Sequence, residues 1–166
     1  MRLYVAEQNG QIWSACLHDD QHPRTEDEFA WRLGGTAPWQ HRTGHSPGAL
    51  SASVQQIAEY FAGKRLAFTL PLSLRGTAFQ VRVWQELQNI PYGAQQSYGE
   101  IAERIGKPNA FRAVGNANGR NNLPVFVPCH RVIAAGGKLG GYTGGIGLKK
   151  RLLAHEAAVL GQHAAA

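Results

Sequence analysis

The sequence predicts an α/β chain in two unlike parts, a small α/β N-terminal domain followed by a mostly helical C-terminal domain. Three observations predict it. "RLYVAEQNGQIWSACL" sets two apolar-rich runs about Asn9-Gly10, a pair that tolerates positive φ, and so reads as a hairpin. From Thr77 onward the pattern changes to short helices with legible caps. The charge divides in the same way. Residues 1–63 carry four Lys/Arg against seven Asp/Glu, and residues 64–166 carry thirteen against four, within a net charge of +6. A basic C-terminal part suggests a polyanion partner, or a merely basic surface.

The elements follow in order. Residues 18–47 are polar, with Pro, Gly and His, and read as a long connection in which Trp31 and Leu33 mark a candidate strand. "PGALSASVQQIAEYFAG" predicts a helix that buries Leu50, Val54, Ile57 and Phe61 and stops at Gly63. "RLAFTLPLSLRG", interrupted by Pro71, is an extended connector, and the domain boundary is set between residues 72 and 73, giving 1–72 and 73–166. Thr77 caps a helix with Phe79, Val83, Leu87 and Ile90 on one side, ended by Pro91-Tyr92-Gly93. "SYGE", Ser97–Glu100, fits a capping box for a short helix through Ile105. Pro108 suits the start of the next helix, set at Ala110–Asn118. Helix, tight turn and helix in a basic region outline a helix-turn-helix, a pattern many small helical domains share. "AAGGKLGGYTGGIG" lacks the Lys-Ser/Thr ending of a phosphate-binding loop and reads as a pocket lid made of unusual backbone angles or close approaches. A last helix, Leu148–Ala158, turns Leu152 and Leu153 inward with Glu156 nearby, and the alanine tail is expected to fray.

The 166 residues are 43% apolar, enough for a packed core and against wholesale disorder. No run reaches the ~18–20 apolar residues of a membrane span, and the first residues lack the apolar stretch of a signal peptide. A soluble, cytoplasmic protein without membrane partners is expected. Cys16 and Cys129 are expected as free thiols. His18, His22, His41 and His45 are scattered rather than clustered, and no Cys/His set has zinc spacing, so no metal is predicted.

"PVFVPCHRV" carries the chemistry. Cys129 stands between a proline and a histidine, and a thiolate needs a base or a positive field to form. His130 is the adjacent base. A histidine works better when a carboxylate orients it, and the basic half offers Glu86, Glu100, Glu103 and Glu156. Glu100 is claimed by the capping box, which leaves Glu156. Cys-His-Glu on these residues fits a cysteine hydrolase equally well, and a buried inert cysteine also stands as a reading.

"PCHRV" taken with "SYGEIA", "RAVGNANGRN", "GYTGG" and "KKRLLAHE" resembles the O6-alkylguanine-DNA alkyltransferases over about Leu74 to Glu156. "RGTAFQVRVWQELQNIPYG" resembles the stretch that opens their C-terminal domain. The resemblance implies a ribonuclease-H-like N-terminal domain, matched loosely here and lacking a first strand, and a winged helix-turn-helix-like C-terminal domain. It implies double-stranded DNA carrying O6-alkylguanine as partner, bound through the minor groove by a monomer, with cooperative binding left open. The lesion base, and O4-alkylthymine beside it, would be flipped out. The alkyl group would pass once to Cys129 by SN2 displacement, with no cofactor. By motif position Arg112 matches the arginine that replaces the flipped base, and Ala113 and Gly115 allow close approach to the DNA backbone. Tyr98 matches the donor to the ring N3. Tyr142 and Thr143 match the loop facing O6. The carbonyls of Cys129 and Val132 match acceptors for the exocyclic amine. His130, through a water held with Glu156, would take the thiol proton, and Asn121 would brace the turn before the active-site strand.

Three departures from the family pattern stand out. Asn122 replaces a usual proline, Thr143 stands where small residues are common, and the cysteines of an N-terminal zinc site are missing. Cys16 reads as a small core residue rather than a second acceptor. An alkyltransferase-like lesion binder would lack Cys129, a plain helix-turn-helix regulator would not need "PCHRV", and the length leaves no room for a cysteine-rich sensor domain.

Overall fold

The computed structural model describes residues 2–18 and 48–165. The expected strand at Trp31 and Leu33 lies outside them, as do His22, His41 and His45. Strands β1 (Arg2–Gln8) and β2 (Gln11–His18) pair antiparallel, with a bulge between Ala6 and Glu7. Asn9 and Gly10 both take positive φ, 54° and 77°, as the two-residue turn requires. The connector lies along β2. Ile12 donates to the Pro71 carbonyl (2.9 Å) and accepts from Ser73 (2.8 Å), so a stretch without helix or hairpin is still held.

Helix α1 (Ala49–Phe61) forms where expected but buries a different face. Ser53, Gln56, Ile57 and Tyr60 point inward, while Val54 is 61% exposed. Polar partners set this rotation. Gln56 bonds Thr69 through both ends of its amide (2.9 and 3.0 Å), and the Tyr60 hydroxyl reaches the distant Glu156. A pattern scored on apolar residues alone misses a helix that docks through its amide and phenol.

Helix α2 (Ala78–Gln88) starts in a capping box between Thr77 and Gln80, and α3 (Tyr98–Arg104) in one between Ser97 and Glu100. Each pair satisfies two otherwise orphaned amides. Pro108 opens a short 3-10 turn, Pro108–Ala110, before α4 (Phe111–Gly119), so the helix begins one residue later than the sequence suggests. The buried Trp84 indole of α2 donates to the Ala117 carbonyl of α4 (2.9 Å), which locks the helix pair at its centre. The final helix, α5 (Ile146–Ala164), runs well past the expected Ala158. Val159, buried there, packs against Gly63 just beyond α1. One continuous core joins β2, α1, α2, α3, α4 and α5. No described helix is long and apolar enough to cross a membrane.

Candidate active site

A tight turn delivers Cys129. Residues 121–128 fold back on themselves, with Val127 donating to the Leu123 carbonyl (2.8 Å) and Val125 at φ 72°. A β-branched residue at positive φ is rare and strained. Asn121 fixes the turn. Its amide nitrogen donates to the Val127 carbonyl (2.9 Å) and to Cys129 Sγ (3.0 Å), and its oxygen accepts from the Leu123 amide (2.9 Å). Asn121 therefore touches the thiol as well as the turn. Asn122, the departure from proline, offers its carbonyl to Ala15 of β2 (2.7 Å), tying the hairpin to the turn. Cys129–Arg131 then forms a 3-10 turn leading into β4 (Val132–Ile133). β4 pairs in parallel with β3 (Gln96–Ser97), which sets Tyr98, the first residue of α3, beside the acceptor segment.

Behind the thiol lies a buried ionic centre. Glu156 is fully buried on α5. Its Oε1 accepts from the Tyr60 hydroxyl (2.8 Å), His130 Nε2 (2.9 Å) and Arg131 Nη2 (2.9 Å), and its Oε2 accepts from Arg131 Nε (3.0 Å) and the Gly93 amide (2.9 Å). Arg131 also donates to the Ile90 carbonyl (2.7 Å). Burial pushes the Glu156 carboxyl up, but the hydrogen bonds and charges of His130 and Arg131 outweigh it and hold its pKa at about 2. The carboxylate is thus ionised and accepts a hydrogen bond from the N–H of His130 Nε2. Burial, against the pull of Glu156, lowers the His130 pKa. A neutral ring with its proton on Nε2 leaves a lone pair on Nδ1. Nδ1 is buried and has no hydrogen-bond partner among the described residues.

Burial also raises the Cys129 pKa, opposed by the Asn121 bond, the Lys149 charge and Tyr142. Lys149, whose ammonium donates to the Val132 carbonyl (2.5 Å) and to the Leu139 carbonyl, ties α5 to β4 and to the glycine-rich loop. In that loop Gly136, Gly137, Gly140 and Gly145 have positive φ. A Cβ at Gly140 would lie 2.8 Å from the Tyr98 hydroxyl, so only glycine fits this approach. Burial, and then Cys129, raise the Tyr98 pKa, so its hydroxyl keeps its proton. The Tyr142 hydroxyl is buried and close enough to Cys129 to feel its charge, yet makes no well-directed hydrogen bond. The Thr143 hydroxyl donates to the Gly119 carbonyl at the end of α4.

Cys16, Leu17, Asn121, Cys129, Tyr142 and Thr143 are among the walls of one cavity of about 30 Å³. That holds a water or two, far less than a pocket filled by a small organic ligand. Cys16 is buried, as expected of a core residue, but it shares this cavity with Cys129. The two carbonyls expected to accept from a base are already engaged. That of Cys129 takes the Val132 amide and Asn118 Nδ2 (3.2 Å), and that of Val132 takes Lys149. Arg112 and Ala113 are exposed on α4, and Gly115 is half-buried below them. The Arg112 guanidinium lies 5.5 Å from the Phe111 ring centre.

Sequence reasoning passed over Tyr60, Arg131, Lys149 and Asn118. Arg131 stands inside the quoted "PCHRV", and its signal was present, since an arginine in an apolar stretch needs a buried anion. Tyr60 gave no such signal, because its partner is 96 residues away.

Two sequence profiles match the chain. Residues 78–158 match the 6-O-methylguanine DNA methyltransferase DNA binding domain, and residues 8–74 match the ribonuclease-like domain of the same family. The methylated-DNA–protein-cysteine methyltransferase of Mycolicibacterium paratuberculosis is 56% identical over 117 residues, 69% of this chain and 71% of that protein. The constitutive enzyme of that name from Bacillus subtilis is 42% identical over 143 residues, 86% of this chain and 73% of that protein. The crystal structure of Mycobacterium tuberculosis OGT in complex with DNA superposes with a TM-score of 0.75 at 43% identity, covering 95% of this chain and 87% of that one.

Proposed function

We infer the function from one premise: the chain belongs to the 6-O-methylguanine DNA methyltransferase family. We propose that it is a methylated-DNA–protein-cysteine methyltransferase that reverses alkylation directly, moving the alkyl group of O6-alkylguanine, and of O4-alkylthymine, to Cys129. The observation that carries this reading is the buried Cys129 thiol held by the Asn121 amide, next in the chain to a His130 whose Nε2 is bonded to an ionised Glu156 and whose Nδ1 is left open.

The chemistry follows from that arrangement. A buried thiol stays protonated until a base removes its proton. His130 Nδ1 carries the lone pair to do so, through one bridging water, and Glu156 stabilises the imidazolium that results. The Asn121 amide and the Lys149 charge favour the thiolate once formed. Sulfur attacks the alkyl carbon. The S–C bond forms, the C–O bond breaks, and its electron pair goes to guanine O6. Tyr98, a neutral donor that keeps its proton, hydrogen-bonds N3 and so stabilises the negative charge that develops on the base; the guanine anion then takes a proton from water, and the proton held on His130 returns to solvent. The product thioether has no easy leaving route, and each protein acts once. The Val132 carbonyl, with one acceptor direction left, is a better partner for the exocyclic amine than that of Cys129. The Thr143 hydroxyl is occupied by Gly119, so donation to O6 falls to the backbone around Tyr142 and Thr143.

The substrate is double-stranded DNA entered through the minor groove by a monomer. Arg112 fills the gap left by the flipped base, and Ala113 and Gly115 admit the DNA backbone. A Cβ at Gly115 would meet only ordinary contacts 3.8 Å away on Tyr98, so protein packing does not demand glycine there, which supports a role toward DNA. Entry of a base requires Tyr98 and Gly140 to part. The domains divide in the connector near residues 72 and 73, beside the gap between the matched segments. The protein works in the cytoplasm without a cofactor.

Titration of the protein with duplex DNA carrying one O6-methylguanine tests the reading. Lesion removal is expected to rise with added DNA and stop at one per protein. Continued turnover, or none, would refute it.

A further inference from the structure

Tyr60 belongs to α1, in the N-terminal domain, yet its hydroxyl ends on the oxygen of Glu156 that also holds His130. Both Tyr60 and Glu156 are 0% exposed. The phenol ring is wedged among Phe61, Phe68, Tyr92 and His155, with ring centres 5.1 to 5.7 Å away. His155 Nε2 also meets the Tyr60 carbonyl at 2.9 Å. The hydroxyl therefore has little freedom to point elsewhere.

A carboxylate offers about four lone-pair directions. Glu156 meets its buried charge with the two-pronged Arg131 and the Gly93 amide, and holds His130 besides. The phenol is one more donor, placed on the oxygen that does the chemical work. Each donor on an acceptor oxygen lowers its pull on the others. We propose that Tyr60 is a positioning residue for alkyl transfer: by sharing Oε1 with His130, the N-terminal domain sets how strongly the relay draws a proton from Cys129. The proposal rests on the methyltransferase reading of this site.

The sign can be worked out. Without the hydroxyl, Oε1 faces the His130 Nε2 proton with more negative charge. The imidazolium is then stabilised, and Nδ1 stays protonated to higher pH. A ring already protonated cannot accept the thiol proton. The rising limb of the transfer rate against pH therefore moves to higher pH. The groups that face this pair are Tyr60 from α1, Tyr92 after α2, Cys129 and Arg131 beside His130, Tyr142 from the loop, and Lys149 and His155 from α5.

The test compares the full-length protein with Tyr60→Phe in single-turnover transfer from an O6-methylguanine duplex across pH, with lesion affinity measured alongside. The expected result is a rising limb displaced to higher pH, with the rate on that limb lower by about tenfold for each pH unit of displacement, and affinity unchanged. A phenol that serves packing alone would lower Tm and leave the pH profile in place, and that result overturns the proposal. Should Tyr60→Phe fail to fold, 3-fluorotyrosine at position 60, a stronger donor of nearly the same shape, decides. Its limb is expected to move to lower pH, and no movement overturns the proposal. An unsubstituted protein that transfers nothing overturns the methyltransferase reading itself, and the proposal with it.

Discussion

Cys129, His130, Arg131 and Glu156 are buried and bonded within the protein, whereas Phe111, Arg112 and Ala113, at the start of α4, lie exposed. The two regions serve one proposed reaction and are built in opposite ways. Around the thiol, each polar group depends on its neighbours, so a change there alters stability and chemistry together. On α4 the side chains owe little to the fold, so changes there isolate recognition. On the proposed reading, the side chains offered to DNA keep their desolvation for the moment of binding, while the proposed proton relay is assembled beforehand.

Five substitutions break or sharpen that contrast. Cys129→Ser is the largest. Transfer is expected to vanish while lesion binding persists, checked by labelled-methyl transfer beside gel-shift affinity. Residual transfer would point to Cys16, which shares the cavity. Glu156→Gln is next and should lose both properties at once. Removing one charge of a buried pair costs about 3–5 kcal/mol, measurable by urea unfolding at neutral pH. Its pH dependence has a definite sign. The Glu156 pKa falls from an ordinary 4.5 to about 2, so its contribution is complete above the higher value and fades as pH drops toward the lower. The substituted protein should show a flatter loss of stability through that window.

Arg112→Ala belongs to the other region. Transfer from duplex DNA is expected to fall about 30-fold, the ~2 kcal/mol of an arginine anchor. Reaction with free O6-benzylguanine should stay within about twofold, and stability within ~0.5 kcal/mol. Equal losses on both substrates would remove the distinction between the regions. The last pair tests the rotation of α1, and its contrast ends on the smallest effect. Ile57→Ala should cost about 2–4 kcal/mol in urea unfolding, whereas Val54→Ala, at a position 61% exposed, should cost less than ~0.5 kcal/mol.

What the sequence discloses follows the range of the interactions. The Ser97–Glu100 capping box and the Thr77 cap are legible because their partners lie three residues away, although the sequence reading gives Thr77 no reciprocal partner and the structure supplies Gln80. The hairpin is legible because Asn9-Gly10 specifies its own turn. The glycine-rich loop announces positive φ, and Gly140 against Tyr98 supplies the close approach. Cys129, His130 and Glu156 could be nominated because few carboxylates exist in the basic half. The face of α1 was misread because its inward residues are a glutamine and a tyrosine bonded to Thr69 and Glu156. The bond from the Thr143 hydroxyl to Gly119 leaves no local signal, because the two lie 24 residues apart. Long-range polar contacts leave no period in a sequence, and here they connect the N-terminal domain to the relay.

The central claim is that Cys129 is the acceptor and that it is consumed. Its most direct test is the intact mass of the protein after incubation with duplex DNA carrying one O6-methylguanine, followed by peptide mapping. The account predicts a gain of one CH₂ unit, saturating at one per protein and located on the peptide containing Cys129. An unchanged mass with tight lesion binding, or a methyl group mapped to Cys16, would contradict it.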